Sequence, residues 1–122
     1  MTKRPLDILV VDDDRDNADS LAEVFALDDH HVTIAYSGEQ AIEAFRRGRF
    51  DIGFFDVMMP GKSGVESFVE IKAFRPEAKV FFMTGYSGED LLQQARDHGA
   101  MGVFGKPVDP GRLLDAIERA AA

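Results

Sequence analysis

Residues 51–61 read DIGFFDVMMPG, and this stretch decides how the rest of the chain is organised. Its apolar run at 52–55 has the length of a strand and predicts a buried β-strand. Asp56 ends the run, and Pro60 and Gly61 then predict a loop, because proline fixes φ and glycine tolerates positive φ. A buried strand that ends in a carboxylate needs a reason for that charge. Ligands of open parallel sheets bind at the carboxyl ends of the strands, so we predict that Asp56 is a reactive residue.

Four further apolar runs of strand length occur, and each of the five is followed by an amphipathic segment of helix length. The predicted strands are residues 7–11, 31–36, 52–55, 79–83 and 102–104. The predicted helices are residues 15–27, 37–48, 63 or 64 to 74, 87–99, and 109 or 110 onward. Strict alternation with short connections implies a parallel sheet with right-handed crossovers. We therefore predict an α/β fold: a flavodoxin-like, doubly wound sheet of five parallel strands in the order 2-1-3-4-5 with five helices. It forms one domain over residues 1–122.

Capping residues support the predicted helix boundaries. Asp14 is predicted to cap the first helix, since acidic residues suit a helix N-terminus. Ser37 is predicted to cap the second helix and to form a capping box with Gln40, and Gly48 is predicted to end that helix. Ser87 is predicted to cap the fourth helix.

Composition excludes several classes of function. The chain has 122 residues, no cysteine and a formal net charge of −8. The absence of cysteine excludes disulfides, thiolate catalysis and cysteine-ligated metal sites, and it fits a cytoplasmic location. The acidic balance argues against direct nucleic-acid binding and suits a divalent cation or a partner with a basic patch. No apolar stretch reaches the ~20 residues that span a bilayer, so no membrane association is predicted.

Polar side chains follow four of the five predicted strands. They are Asp12, Asp13 and Asp14 after the first strand, Asp56 after the third, Thr84 after the fourth and Lys106 after the fifth. Neighbouring strands lie ~4.8 Å apart, so these side chains can converge. Carboxylates packed so closely raise one another's pKa unless a cation compensates, and a divalent ion or the Lys106 ammonium can do so. A nucleophilic carboxylate, a cation, a hydroxyl donor and a lysine are the parts needed to accept a phosphoryl group.

Four motifs, in this order and spacing, give the chain a specific resemblance. They are ILVVDD at 8–13, FFDVMMPGKSG at 54–64, MTG at 83–85 and GKP at 105–107. The chain resembles the response-regulator receiver domains of two-component phosphorelays over essentially its whole length. The resemblance implies a receiver that takes a phosphoryl group from the phosphohistidine of a sensor histidine kinase or histidine phosphotransfer protein and slowly hydrolyses its own acyl phosphate. Such a receiver is not a conventional enzyme and signals by altered docking to a downstream protein target or a fused output domain.

The resemblance also implies a phosphoacceptor and a metal site. Asp56 would be the phosphoacceptor. Asp13, Asp56 and the backbone carbonyl of Met58 would bind Mg²⁺ or Mn²⁺ directly, and Asp12 would reach the ion through water. Met58 and Tyr86 would flank the route by which a nucleophile attacks the acyl phosphate.

The resemblance assigns roles at the last two strands and shows one departure. Thr84 would bind the phosphoryl group, Lys106 would bridge phosphate and carboxylate, and the Lys106–Pro107 peptide would be cis. Receivers commonly carry Tyr or Phe three residues before this lysine, and the rotamer of that ring follows the threonine. Here Val103 occupies the position and Phe104 comes one place later. The route by which a signal reaches the face formed by the fourth helix, fifth strand and fifth helix is therefore open.

Two other classes of function remain open. A haloacid-dehalogenase-like phosphatase would use the Asp-x-Asp pattern of Asp12 and Asp14, although such enzymes usually need a longer chain and Asp56 would be unexplained. A pseudo-receiver used only for protein binding would keep the acidic site without being phosphorylated. The sequence GKS at 61–63 is not a P-loop, because that motif needs glycine where Asp56 stands.

The three histidines show no pattern typical of a metal site. His30, His31 and His98 lack helical i, i+4 spacing and clustered carboxylates, so we predict positions at the surface or at helix ends. Lys62 is predicted to be a solvated loop residue.

Overall fold

Strands and helices alternate along the chain, because each apolar run is followed by an amphipathic segment. The computed structural model describes residues 4–85 and 89–121, including all of their side chains except those of Glu89 and Leu91. The strands are β1 Asp7–Val11, β2 His31–Ala35, β3 Ile52–Asp56, β4 Val80–Thr84 and β5 Gly102–Gly105. The helices are α1 Arg15–Leu27, α2 Gly38–Arg47, α3 Gly64–Phe74, α4 Glu89–Asp97 and α5 Pro110–Ala121. Within the described residues, no helix is long and apolar enough to cross a membrane.

The strands pair in parallel in one sheet, in the order β2-β1-β3-β4-β5. This is the predicted doubly wound, flavodoxin-like topology, and it brings the carboxyl ends of the strands to one edge of the sheet. β1 and β3 lie side by side, with Val11 opposite Phe55. The next residue along each strand is an aspartate, so this register makes Asp12 and Asp56 neighbours.

Apolar side chains form one buried cluster on each face of the sheet. The α1/α5 cluster combines side chains of α1 and α5 with the strand residues Ile8, Val10, Phe54, Phe81 and Met83. The α2–α4 cluster combines side chains of α2, α3 and α4 with the strand residues Leu9, Val11, Phe55, Val80 and Phe82. Both faces are covered, which explains why these strands read as continuous apolar runs rather than as alternating ones.

The caps of α2 confirm the predicted boundaries but not the predicted capping box. Ser37 Oγ accepts the backbone N–H of Gln40 at 3.1 Å, and the N–H of Gly48 donates to the carbonyl of Ala44. The capping box is wrong, because Gln40 Oε1 accepts the N–H of Tyr36 at 2.8 Å. The glutamine side chain is long enough to reach the donor one residue before the cap. Ser87, the predicted cap of α4, lies outside the described residues.

α3 begins with a capping box that was not predicted. Ser63 Oγ accepts the N–H of Glu66 at 3.1 Å, and Glu66 Oε1 accepts the N–H of Ser63 at 2.9 Å. On this helix Val69 is partly exposed, whereas Ser67 is buried. The Ser67 hydroxyl donates to the carbonyl of Ser63 at 2.8 Å, which satisfies its polar group inside the protein.

His30 lies just beyond α1, but it is not at the surface. The residue is 5% exposed, and its Nδ1 accepts the backbone N–H of Leu6 at 3.1 Å. Its Nε2 lies 3.2 Å from a carboxylate oxygen of Asp28. His30 therefore ties the end of α1 to the segment that leads into β1, a structural role that its position in the sequence did not indicate.

Candidate functional site

Two buried carboxylates lie side by side at the carboxyl edge of the sheet. Asp56 is the last residue of β3 and is 7% exposed, and Asp12 directly follows β1 and is 2% exposed. Asp12 Oδ1 accepts the backbone N–H of Asp14 at 3.0 Å. Two like charges held this deeply destabilise each other, so the site requires positive charge.

The ammonium group of Lys106 contacts both buried carboxylates. Its Nζ donates to Asp12 Oδ2 and to Asp56 Oδ2, each at 3.2 Å. Lys106 directly follows β5, and its backbone N–H donates to the carbonyl of Thr84 at 2.8 Å. The Lys106–Pro107 peptide is cis, as the sequence analysis predicted. Lys106, which follows β5, is thus hydrogen-bonded to residues at the ends of β1, β3 and β4.

The charges at this site alter the proton affinities of its members. Burial raises the pKa of Asp56 from its ordinary value of 3.8 to about 6; the Lys106 ammonium opposes this shift, and the charge of Asp12 adds to it. Burial disfavours the charged form of Lys106, but the carboxylates of Asp56 and Asp12 outweigh burial and raise its pKa. Asp56 therefore holds a proton more tightly than an ordinary aspartate, because the single ammonium of Lys106 does not offset burial together with the charge of Asp12.

A third carboxylate completes a group that suits a divalent cation. Asp13 is exposed, and one carboxylate oxygen from each of Asp12, Asp13 and Asp56 lies within 4.8 Å of the other two. Carboxylate oxygens are the ligands that Mg²⁺ prefers in proteins, and the excess of negative charge fits a bound cation. The side chain of Met58 is 51% exposed, and the role of its carbonyl oxygen as a further ligand stays a prediction.

Thr84 is buried at the same edge of the sheet, at the end of β4. It is 6% exposed and lies opposite Gly105 in the pairing of β4 with β5. The structure thus brings Asp12, Asp13, Asp56 and Lys106 together and places Thr84 beside them, through the backbone contact with Lys106. Tyr86, which was predicted to flank the site, lies outside the described residues.

Asp14 has a structural role, as predicted. Its carboxylate caps α1 by accepting the backbone N–H of Asn17 at 3.2 Å. The second aspartate of the Asp-x-Asp pattern is thus engaged in capping the helix. The geometry therefore does not favour a phosphatase that would use Asp12 and Asp14 as its catalytic pair.

Gly64 supports Asp56, and the sequence analysis gave it no such role. A Cβ atom at Gly64 would lie 2.0 Å from the backbone oxygen of Asp56. The N–H of Gly64 donates to the carbonyl of Val57 at 2.9 Å, so the first turn of α3 packs directly against the end of β3. The sequence carried one sign of this contact: glycine is a poor helix former, yet it occupies the first position of α3 after the cap.

We expect Gly64→Ala to lower the free energy of unfolding by at least about 2 kcal/mol, because α3 would have to move away from the Asp56 backbone. Urea denaturation measures this change. Gly48→Ala is the matched control, since nothing lies within 4 Å of a Cβ atom built at Gly48, where φ is −155°. An equal effect of the two substitutions would contradict the close approach at Gly64.

The fold and site define a class of protein: a doubly wound α/β domain with an acidic triad and a lysine at the carboxyl edge of its sheet. The family described as the response regulator receiver domain matches residues 8–118. The chain belongs to this family, whose members act in two-component systems and bind Mg²⁺ at an acidic pocket of this kind.

Similar proteins agree with this assignment. The chain is 37% identical, over 88% of its length, to a response regulator receiver protein of Anaeromyxobacter sp. (strain Fw109-5), and it spans 45% of that protein. It is 31% identical, over 92% of its length, to sporulation initiation phosphotransferase F of Bacillus subtilis (strain 168), of which it covers 90%. A CheY-like receiver domain from Methanospirillum hungatei JF-1 superposes with a TM-score of 0.91 at 28% identity, covering 95% of this chain and 93% of that chain.

Proposed function

We propose that residues 1–122 form one receiver domain that accepts a phosphoryl group on Asp56 in a Mg²⁺-dependent reaction. One observation supports this most strongly: Lys106 Nζ lies 3.2 Å from both Asp12 Oδ2 and Asp56 Oδ2, and Asp13 lies close by. The donor is a phosphohistidine of a sensor histidine kinase or a histidine phosphotransfer protein, and the receiver acts in the cytoplasm. The phosphorylated domain signals by altered docking to a downstream protein or to an output domain fused to it.

The transfer is an in-line displacement at phosphorus. A carboxylate oxygen of Asp56 attacks the phosphorus, and a P–O bond forms while the P–N bond to the donor histidine breaks. The donor imidazole, protonated on its other nitrogen, leaves with the electron pair of the P–N bond as neutral histidine. Lys106 contacts the new phosphoryl group while remaining near Asp12, and the hydroxyl of Thr84 donates to a phosphoryl oxygen.

Three carboxylates and one carbonyl hold the cation in this proposal. Asp13, Asp56 and the carbonyl of Met58 would bind it directly, and Asp12 would bind it through water. When bound, Mg²⁺ or Mn²⁺ would neutralise negative charge during the transfer. The carboxylates of Asp12 and Asp13 repel an incoming phosphoryl group, so phosphoryl uptake depends on the cation that offsets their charge.

Mass spectrometry of the intact protein after incubation with acetyl phosphate tests the proposal. We expect a gain of one phosphoryl group with Mg²⁺ and no gain with a chelator. The adduct should be cleaved by hydroxylamine, as expected for an acyl phosphate and not for a phosphoserine or phosphothreonine. Absence of a gain under excess donor and Mg²⁺ would contradict phosphoacceptance and favour a pseudo-receiver that only binds proteins.

A further inference from the structure

The two residues at the middle of β5 face opposite sides of the sheet. Val103 lies opposite Phe82 and packs against the α2–α4 cluster, on the same side as Thr84. Phe104 lies opposite Met83 and packs against the α1/α5 cluster. Phe104 therefore lies on the wrong side of the sheet to replace the aromatic ring of other receivers, whose rotamer changes together with the threonine. Val103 is β-branched, so it has few rotamers and cannot make a comparable movement.

Phe104 ends a row of aromatic rings that crosses the α1/α5 face. The ring centroids of Phe25 and Phe54 are 5.0 Å apart, those of Phe54 and Phe81 are 5.3 Å apart, and those of Phe81 and Phe104 are 5.7 Å apart. Phe25 and Phe54 are fully buried and Phe81 is 6% exposed. Close packing holds these three rings in place. Phe104 also packs against this cluster, but it is partly exposed and contacts only one other ring in the described chain, so it has more room to change rotamer than the other three rings.

Lys106 links Phe104 to the acceptor site. The two residues are two apart, so their side chains project to the same side where the chain is extended. The Lys106 backbone is held to Thr84, while its ammonium is divided between Asp12 and Asp56. A phosphoryl group on Asp56 adds charge and three strong acceptor oxygens, which redistributes the hydrogen bonds of that ammonium. Because Lys106 directly follows β5, we expect this rearrangement to affect the end of β5.

We propose that Phe104 is the residue whose conformation reports phosphorylation, and that Lys106, rather than a ring on the Thr84 side of the sheet, drives its movement. The inference rests on the proposed phosphorylation of Asp56. It places the conformational response on the α1/α5 face of the sheet. Val103 takes no part in it.

Fluorine NMR of protein labelled with 4-fluorophenylalanine tests this inference. Phe104→Leu assigns the Phe104 resonance among the ten phenylalanines. Acetyl phosphate and Mg²⁺ are added, and the mass of the same sample gives the phosphorylated fraction. Of the ten resonances, we expect that of Phe104 to show the largest change in its H₂O–D₂O isotope shift, which reports ring exposure. Val103→Ala should keep the response, and Lys106→Ala should lose it at equal phosphorylation.

The mass measurement separates the possible failures. An unchanged Phe104 isotope shift in a fully phosphorylated sample would overturn this inference and leave the proposed function standing. Loss of the response in Val103→Ala would overturn the inference in the same way. This test does not depend on whether Lys106→Ala folds. A sample that takes up no phosphoryl group would overturn the proposed function and the inference together.

Discussion

Replacing Lys106 by alanine should lower the free energy of unfolding by about 2–3 kcal/mol near neutral pH in the presence of a chelator. Its Nζ is the hydrogen-bond donor shared by the buried carboxylates of Asp12 and Asp56. Removing it leaves two like charges in a poorly solvated position. The lysine side chain is 25% exposed, so we expect less than the full cost of breaking a deeply buried pair. Urea denaturation followed by circular dichroism measures the change.

Lys62→Ala is the matched control for the loss of a lysine. Lys62 pairs with Glu70, and the two side chains are 31% and 47% exposed, so solvent screens the pair and this substitution should cost clearly less than Lys106→Ala. Adding Asp56→Asn to Lys106→Ala should restore a large part of the lost stability, since one of the two charges is then gone. Equal costs for the two lysines, or no restoration by Asp56→Asn, would show that Lys106 does not compensate the buried carboxylates.

Asp56→Asn alone should stabilise the metal-free protein at neutral pH, by about 1–3 kcal/mol. The raised pKa means that folding favours the protonated carboxyl group. This contribution to stability is complete below pH 3.8 and is lost as the pH rises through about 6. The difference between Asp56→Asn and the unmodified protein should therefore be small near pH 4 and reach its full value above pH 6.

Urea denaturation of both proteins across this pH range, with chelator present, checks the sign and the position of the change. Adding Mg²⁺ at neutral pH should reduce the advantage of Asp56→Asn, because the cation stabilises the ionised carboxylate. A difference that does not depend on pH, or one that grows toward acid, would contradict the raised pKa of Asp56.

Much of the fold could be predicted because β1, β3 and β4 are nearly continuous apolar runs bounded by turn or charged residues. The run at 52–55, followed by Asp56 and Pro60, marks both a strand and its end without further information. Parallel topology then follows from alternation with helices, and it brings the strand ends together. The proximity of Asp12 to Asp56 could therefore be predicted from the strand order alone, and the structure confirms it.

The contacts within the site could not be predicted in the same way. The sharing of one ammonium between Asp12 and Asp56, and the packing of Gly64 on the Asp56 backbone, depend on how loops run in space. Periodicity does not contain this information. Gln40 shows the same limit on a smaller scale, because two backbone donors lie within reach of its side chain and only the folded chain selects one. His30 is buried by a contact with Leu6, 24 residues away, which local patterns do not reveal.

Site-specific mapping of phosphoryl uptake tests the central claim most directly. The unmodified protein, Asp56→Asn and Asp115→Asn, which alters an exposed aspartate on α5, are incubated with acetyl phosphate and Mg²⁺ and analysed by mass spectrometry. We predict one phosphoryl group on the unmodified protein and on Asp115→Asn, and none on Asp56→Asn, whose circular dichroism spectrum should be unchanged. Uptake by a folded Asp56→Asn protein equal to that of Asp115→Asn would contradict the assignment of Asp56 as the phosphoacceptor.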